Sequence, residues 1–383
     1  MSDVTFKIDL FYVYEKFIKR KFKIYQEEKN KAPMSNVITI EQRGFILKGM
    51  RKGHQLPALK ELFNEEQVKS FEIYSECTYS NEELTRMGIA ELKDDGKMRF
   101  IHRTFAEFFV ADFFVNQLRG GNKASRPVQE CLFKDIFLKA EYRVVRAFID
   151  GSLSKSRPSE EELKNYGNRI TDMWKDSALI LYHAAVEDNA NIVGFLSESL
   201  KVAGHKDNLI QLLEAQHKGR QTAWHVAGMW GNLKVLQNLW DWAKEKELHR
   251  KYLLARDSKG KTVWHVAAEQ GKLQILRQLW DWATAEKLND KLLLARDVNE
   301  QTFLHVATES ANTKEYEKLW DWATAKLTAE RLKESLLAKD HNDLTVFNVA
   351  ANRTDKGVFQ KLWKYAEAEL TPEDIQSLFT YRR

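Results

Sequence analysis

The chain has 383 residues, 43% hydrophobic and 30% charged, with 5 Pro, a balance that excludes a disordered chain and fits a helix-rich protein of two or three domains. Its net charge of +5 is local, because residues 1–55 hold 12 Lys/Arg against 6 Asp/Glu; this is not the whole-chain basicity of a nucleic-acid binder. No apolar run reaches the roughly 18 residues that cross a bilayer, Met1–Lys7 lacks a secretory h-region, and two cysteines without metal-type spacing, Cys77 and Cys131, point to a reducing, cytoplasmic setting.

Leu10, Tyr14, Phe17, Phe22 and Tyr25 fall near helical spacing, with Lys16, Lys19, Arg20 and Lys23 among them. This predicts a domain helix with one solvated basic face, a composition that also suits peripheral contact with an anionic membrane or calmodulin. Ser80-Asn81-Glu82-Glu83 is a capping box for a short helix. Gly88–Leu92 and Met98–His102 read as strands joined through Asp94-Asp95-Gly96-Lys97. Thr104-Phe105-Ala106-Glu107 predicts a second capping box, opening a helix that carries Phe105, Phe108, Phe109 and Phe113. Helix, hairpin and helix in this order describe a winged-helix-like module.

The run Phe100-Ile101-His102-Arg103-Thr104-Phe105-Ala106-Glu107-Phe108-Phe109-Val110-Ala111 resembles the end of the helical region behind a NACHT-type STAND NTPase. The basic, Phe/Tyr-rich stretch Leu10–Asn30 is similar to the segment preceding it in proteins that join NACHT to repeats. The resemblance covers about residues 5–120. It does not bring the family's ATP chemistry, because no G-x-x-x-x-G-K-[ST] occurs and Gly120-Gly121-Asn122-Lys123 has the wrong spacing. No nucleotide and no other cofactor is therefore expected. Neither G-x-S-x-G nor H-E-x-x-H is present, so no catalytic or metal residue, no small-molecule substrate and no enzyme activity is expected.

Residues 127–175 read as a divergent repeat or linker, with Tyr142–Ile149 as its helix. Tyr182-His183-Ala184-Ala185-Val186 followed by Asn191–Leu196 begins a repeat array. Its clearest copies share Thr222-Ala223-Trp224-His225-Val226-Ala227, Thr262-Val263-Trp264-His265-Val266-Ala267 and Thr302-Phe303-Leu304-His305-Val306-Ala307 at a period of 40, then Thr345-Val346-Phe347-Asn348-Val349-Ala350. An aromatic pair follows each: Trp240/Trp242, Trp280/Trp282, Trp320/Trp322 and Trp363/Tyr365. A fixed period of this length marks stacked units that bury their apolar faces only against one another. In the second copy, Asp257-Ser258-Lys259-Gly260 is a turn, Thr262 an N-cap, Gln270-Gly271-Lys272 a helix end, and a second helix is expected from about Leu273 to Leu288.

Gly260, Thr262, His265, Ala267, Ala268, Gly271, Leu276, Leu279 and Trp280 resemble the ankyrin repeat. The family's Pro is missing and the period is 40 where the family has about 33. The seven extra residues, near Ala283–Leu288, are expected to lengthen the second helix by about two turns. His225, His265 and His305 recur one per copy, about 10 Å apart as neighbouring helices are, too far to share a metal; a hydrogen bond to Thr and adjacent backbone is the expected role. The Trp pairs are expected to pack between copies, with Trp240, Trp280 and Trp320 at the ankyrin core-Leu position and more buried than Trp242, Trp282 and Trp322. An aromatic cage for a cation or bases is the alternative.

The fold expected is mainly α. An N-terminal winged-helix-like helical domain (1–126) leads through 127–175 into an ankyrin-like α-solenoid of about five units (176–383). The expected function is a cytoplasmic protein-interaction scaffold or recognition module in signalling or innate immunity. By the ankyrin resemblance its protein partner meets the turn tips, at Lys218, Arg220, Ser258, Lys259, Val298, Asn299, Glu300, His341 and Asn342. Two other readings stay open. One is a C-terminal fragment of a STAND signalling ATPase, which needs a P-loop upstream. The other, disfavoured by the charge distribution, is a winged-helix nucleic-acid binder with salt-dependent affinity.

Overall fold

Apolar side chains gather in two places along this chain. In the computed structural model, which describes residues 9–29, 40–73, 79–119, 125–155, 158–172, 174–310, 313–354 and 356–378, they form two compact units. One comprises Met1–His183 with Asn189–Leu209, the other Ala184–Asp188 with Ile210–Arg383. The protein is mainly α, 73% helical, and among the described residues it has a single two-stranded hairpin.

The first unit is organised by helix Arg103–Arg119, which is apolar nearly all round and therefore lies in the centre. Phe105, Phe108, Phe109, Phe113 and Phe114 are all buried, each contributing about 1.5–3 kcal/mol relative to exposure. Helices Ile40–Leu62, Arg143–Leu153 and Leu10–Lys29 pack around it. The expected basic helix is present, with Lys16, Lys19, Arg20 and Lys23 exposed, but its apolar face is turned from the expected one: Phe22 and Tyr25 are buried, Leu10 and Tyr14 are half-buried and Phe17 is exposed, while Phe11 and Ile18 complete the buried stripe. Its Tyr14 ring meets Phe105 at 5.3 Å and Phe148 at 5.2 Å. A buried Arg146 closes the end of a π-helical turn, donating from Nη1 to the Ile136 carbonyl at 2.6 Å and the Lys139 carbonyl at 2.7 Å.

The Ser80–Glu83 capping box forms, and strands Ala90–Leu92 and Met98–Phe100 pair antiparallel with Ala90 opposite Phe100. The capping box expected at Thr104–Glu107 does not form. The helix starts at Arg103, the Thr104 N–H donates to His102 Nδ1 at 3.1 Å, and Glu107 instead accepts from Arg103 at 3.2 Å. The ring one residue before the helix reaches the free N–H first, which releases Glu107 to pair one turn back.

In the second unit the four copies superpose one plan. Their first helices, Ala223–Trp230, Val263–Glu269, Phe303–Ser310 and Val346–Asn352, pack side by side. Second helices Leu233–Glu245, Leu273–Ala285, Thr313–Lys326 and Gly357–Glu369 form the other layer. Each Thr caps its first helix, and the residue three on closes a capping box in which His replaces the usual Glu in the first three copies and Asn348 in the last. Gly271 ends its helix at φ +62°, a conformation a Cβ disfavours.

The extra residues do not lengthen the second helix. That helix stops at Ala285 because Lys287 turns left-handed (φ +57°) and the Leu288 N–H returns to the Ala283 carbonyl at 2.8 Å, a Schellman closure that buries Leu288. They build a separate short helix, Asn289–Leu293, matched by His249–Leu253 in the preceding copy and Ala329–Leu337 in the next.

The expected ranking of the Trp pairs also fails. Trp280 is only half-buried, whereas Trp282 is 8% exposed, and Trp240 and Trp242 are equally enclosed at 4% and 3%. Only Trp320 and Trp322, at 3% and 5%, follow the expected order. Stacking across copies decides it. The first Trp of one pair meets the second aromatic of the next: Trp240 lies parallel to Trp282 at 4.4 Å, Trp280 meets Trp322 at 5.8 Å, and Trp320 meets Tyr365 at 5.3 Å. Burial of either indole thus depends on its neighbour copy, not on its own helix position.

Candidate functional site

The turns between copies carry the residues singled out in the sequence. In each of the last three, an Asp carboxylate buried at the base organises the loop. Asp257 accepts from the N–H groups of Lys259 and Lys261 at 2.8 and 2.9 Å. Asp297 does the same for Asn299 and Gln301, and Asp340 for Asn342 and Leu344. Such Asx turns fix the loop through its own backbone. The fourth turn position is left-handed throughout, at Arg220, Gly260, Glu300 and Asp343. Asp340, not His341, is therefore the counterpart of Asp257.

Neighbouring turns are tied to one another. The Ser258 N–H donates to the Gly219 carbonyl at 2.8 Å, Val298 to Lys259 at 3.0 Å, and His341 to Asn299 at 3.0 Å. Arg296 Nη1 spans the Glu300 and Lys339 carbonyls at 3.0 and 2.6 Å, and Arg256 bridges Gly260 and Arg296 likewise. Above this laced backbone Lys218, Arg220, Ser258, Lys259, Val298, Asn299, Glu300, His341 and Asn342 are all exposed. Sequential hydrogen bonding brings all nine into one row. Cations dominate the first two turns, through Lys218, Arg220 and Lys259, and Glu300 and Asp343 the last two.

A Cβ on Gly260, at φ +68°, would stand 2.9 Å from the Val298 nitrogen. Gly260→Ala is expected to cost about 1–3 kcal/mol in unfolding free energy, read by urea titration. A neutral result would mean that adjacent turns are not tied.

The recurring histidines anchor the row from beneath. His265 is fully buried. Its Nδ1 accepts from the Thr262 hydroxyl at 2.9 Å and the Thr262 N–H at 3.3 Å, so Nε2–H donates to the Ala295 carbonyl at 3.1 Å in the next copy. His225 makes the same link to Ala255, and His305 reaches the Leu344 carbonyl, the counterpart of Gln301, whose carbonyl lies 3.3 Å from His265 Nε2. Desolvation holds all three below the ordinary imidazole range, His265 at about 4. They are neutral structural bridges. Among the described residues no group of His, Cys, Asp or Glu is arranged to hold a metal, and the Cys131 thiol is buried and pushed upward by desolvation. Cys77 lies outside the described residues.

One feature escaped the sequence reading. In the first unit a cavity of about 1070 Å³ lies between helices Ile40–Leu62 and Arg103–Arg119. Its signal was present: Lys48, Arg51, Lys52 and Gln55 stand at i, i+3, i+4 and i+7, and Asp112, Asn116 and Arg119 at i, i+4 and i+7, each set on one helix face. Against known proteins, the chain matches no family model and no curated sequence.

Proposed function

We propose that this protein is a non-enzymatic, cytoplasmic interaction scaffold whose ankyrin-like array recognises a protein partner through its row of turns, with the hairpin-bearing first unit as a winged-helix-like accessory. One observation carries the reading: side chains that differ between copies are exposed in a line, over a backbone that repeats and is tied from turn to turn. Rigid presentation of variable side chains lowers the ordering cost of association. Specificity then resides where copies differ, because identical units bind identically. The cationic first two turns favour an acidic partner surface, and such charges steer association more than they set stability.

Arg220→Glu combined with Lys259→Glu in the full chain is expected to abolish capture of the partner while changing unfolding free energy by no more than about 0.5 kcal/mol. The measurement is quantitative pull-down beside a denaturation curve. Lys16→Glu with Lys19→Glu and Arg20→Glu serves as comparison. If the partner survives the turn reversals and is lost with the N-terminal ones, the array is not the docking surface.

A further inference from the structure

We propose that the cavity of the first unit binds a small organic polyanion, a phosphorylated or polycarboxylated molecule of metabolite size. Polar stripes on two helices face the same open hollow at the surface of a Phe-rich unit, with Lys48, Lys52 and Asn116 exposed, Arg51 and Asp112 half-buried and Gln55 buried. The lining holds five cations, Lys48, Arg51, Lys52, Arg119 and Lys155, against three carboxylates, Glu15, Glu72 and Asp112. That is an excess of two positive charges in a concave site, which focuses potential on an anion.

Two of the carboxylates are already engaged. Asp112 accepts from Arg51 at 2.6 Å, Gln55 at 2.8 Å and Asn116 at 3.4 Å. Glu15 pairs with Lys155 and with Lys19. Asp112 thereby orients Arg51, whose guanidinium also lies 5.4 Å from the Phe108 ring centroid. Arg119 donates from Nη2 to the Ser152 carbonyl at 3.4 Å, which holds its guanidinium at the lining. Lys48 and Lys52 stand exposed on the facing helix, one turn apart on one face, where both reach an anionic group in the hollow. Phe71, Ile73 and Phe113 line the same cavity and suit a carbon skeleton. The volume matches the upper end of small-molecule pockets, about 300–1,000 Å³. This site stands apart from the protein-docking reading, since every lining residue belongs to the first unit.

The test is calorimetric titration of the full chain with pyrophosphate and with citrate at about 0.15 M salt, where loose surface attraction is screened, alongside the ligand-induced rise in Tm. Saturable one-to-one binding of either is expected; preference for pyrophosphate assigns phosphate chemistry, and preference for citrate assigns carboxylate. Lys48→Glu with Lys52→Glu should weaken it at least about tenfold, and so should Asn116→Trp, which fills the hollow from an exposed helix position. Lys93→Glu with Lys97→Glu, the same charge change on the hairpin turn, should leave it within about twofold. If the lysine variant does not fold, Asn116→Trp carries the test alone. No saturation by either probe up to about 5 mM, a range reaching past the weak binding of 1 mM affinities, overturns the proposal. So does binding that survives the cavity variants, or that falls equally with the control.

Discussion

Trp264→Ala will lower the stability of the repeat unit by about 3–5 kcal/mol, the range for truncating an aromatic in a packed core. Trp264 is fully buried and touches three aromatic rings on two copies: Trp280 at 6.0 Å, Phe303 at 5.3 Å and Trp322 at 5.7 Å. Removing it opens a void between copies, and an array stabilised by nearest-neighbour interfaces loses the Phe303 and Trp322 contacts to the next copy along with the Trp280 contact in its own. Trp280→Ala should cost less, since that indole is half-buried and solvent already covers part of it. Trp264→Phe should cost less still, because the Trp264 indole N–H is buried without a partner and its loss relieves an unsatisfied donor. Equilibrium unfolding in guanidinium gives all three values. A Trp264→Ala loss below about 1 kcal/mol would contradict core packing of this ring.

Acid will unfold the protein through its histidines. Burial keeps His265 neutral down to about pH 4, with Asp297 raising its pKa and Arg256 lowering it; in the unfolded chain it protonates near pH 6.5. As pH falls, the unfolded state takes up the proton first, so stability present above about pH 6.5 is lost between there and pH 4. At 1.36 kcal/mol per pKa unit, His265 alone accounts for roughly 3 kcal/mol. His225 and His305 shift the same way, and His54 in the first unit is lowered to about 4.

His265→Asn separates this titration from capping. The last copy already uses Asn348, whose side-chain oxygen accepts from the Thr345 N–H at 2.8 Å and the Thr345 hydroxyl at 2.9 Å. The variant should therefore keep the cap and leave the Ala295 carbonyl without its donor, costing about 1–3 kcal/mol at pH 7. It should also flatten the stability–pH curve between pH 6.5 and 4 by up to one proton's slope. An unchanged slope would show that His265 is not held neutral in the fold.

Features closed within four or five residues were legible in the amino-acid order: the Thr-x-x-His caps, the Gly271 helix end, the Ser80–Glu83 box and the hairpin turn at Gly96. Their partners are sequence neighbours, so composition and spacing settle them. The exposed row of turns was readable for a related reason, since residues that vary among otherwise repeated copies stand outside the shared packing. At Thr104 two local acceptors competed for one N–H, and spacing alone does not rank them.

What the chain order determined by itself was a helical protein, its repeats, their caps and the turns that join them. The tertiary structure decided the rest. Lys287 ends a helix that its sequence could have continued, because turning there buries Leu288. The indoles of each Trp pair share one helix, and only the facing copy decides which of them water reaches. Lys48, Arg51 and Lys52 look like any solvated stripe until Asp112, Asn116 and Arg119 are placed across from them. Each of these outcomes depends on free energy gained between segments distant in sequence, and periodicity reports which face of a helix is apolar or charged, not what that face meets.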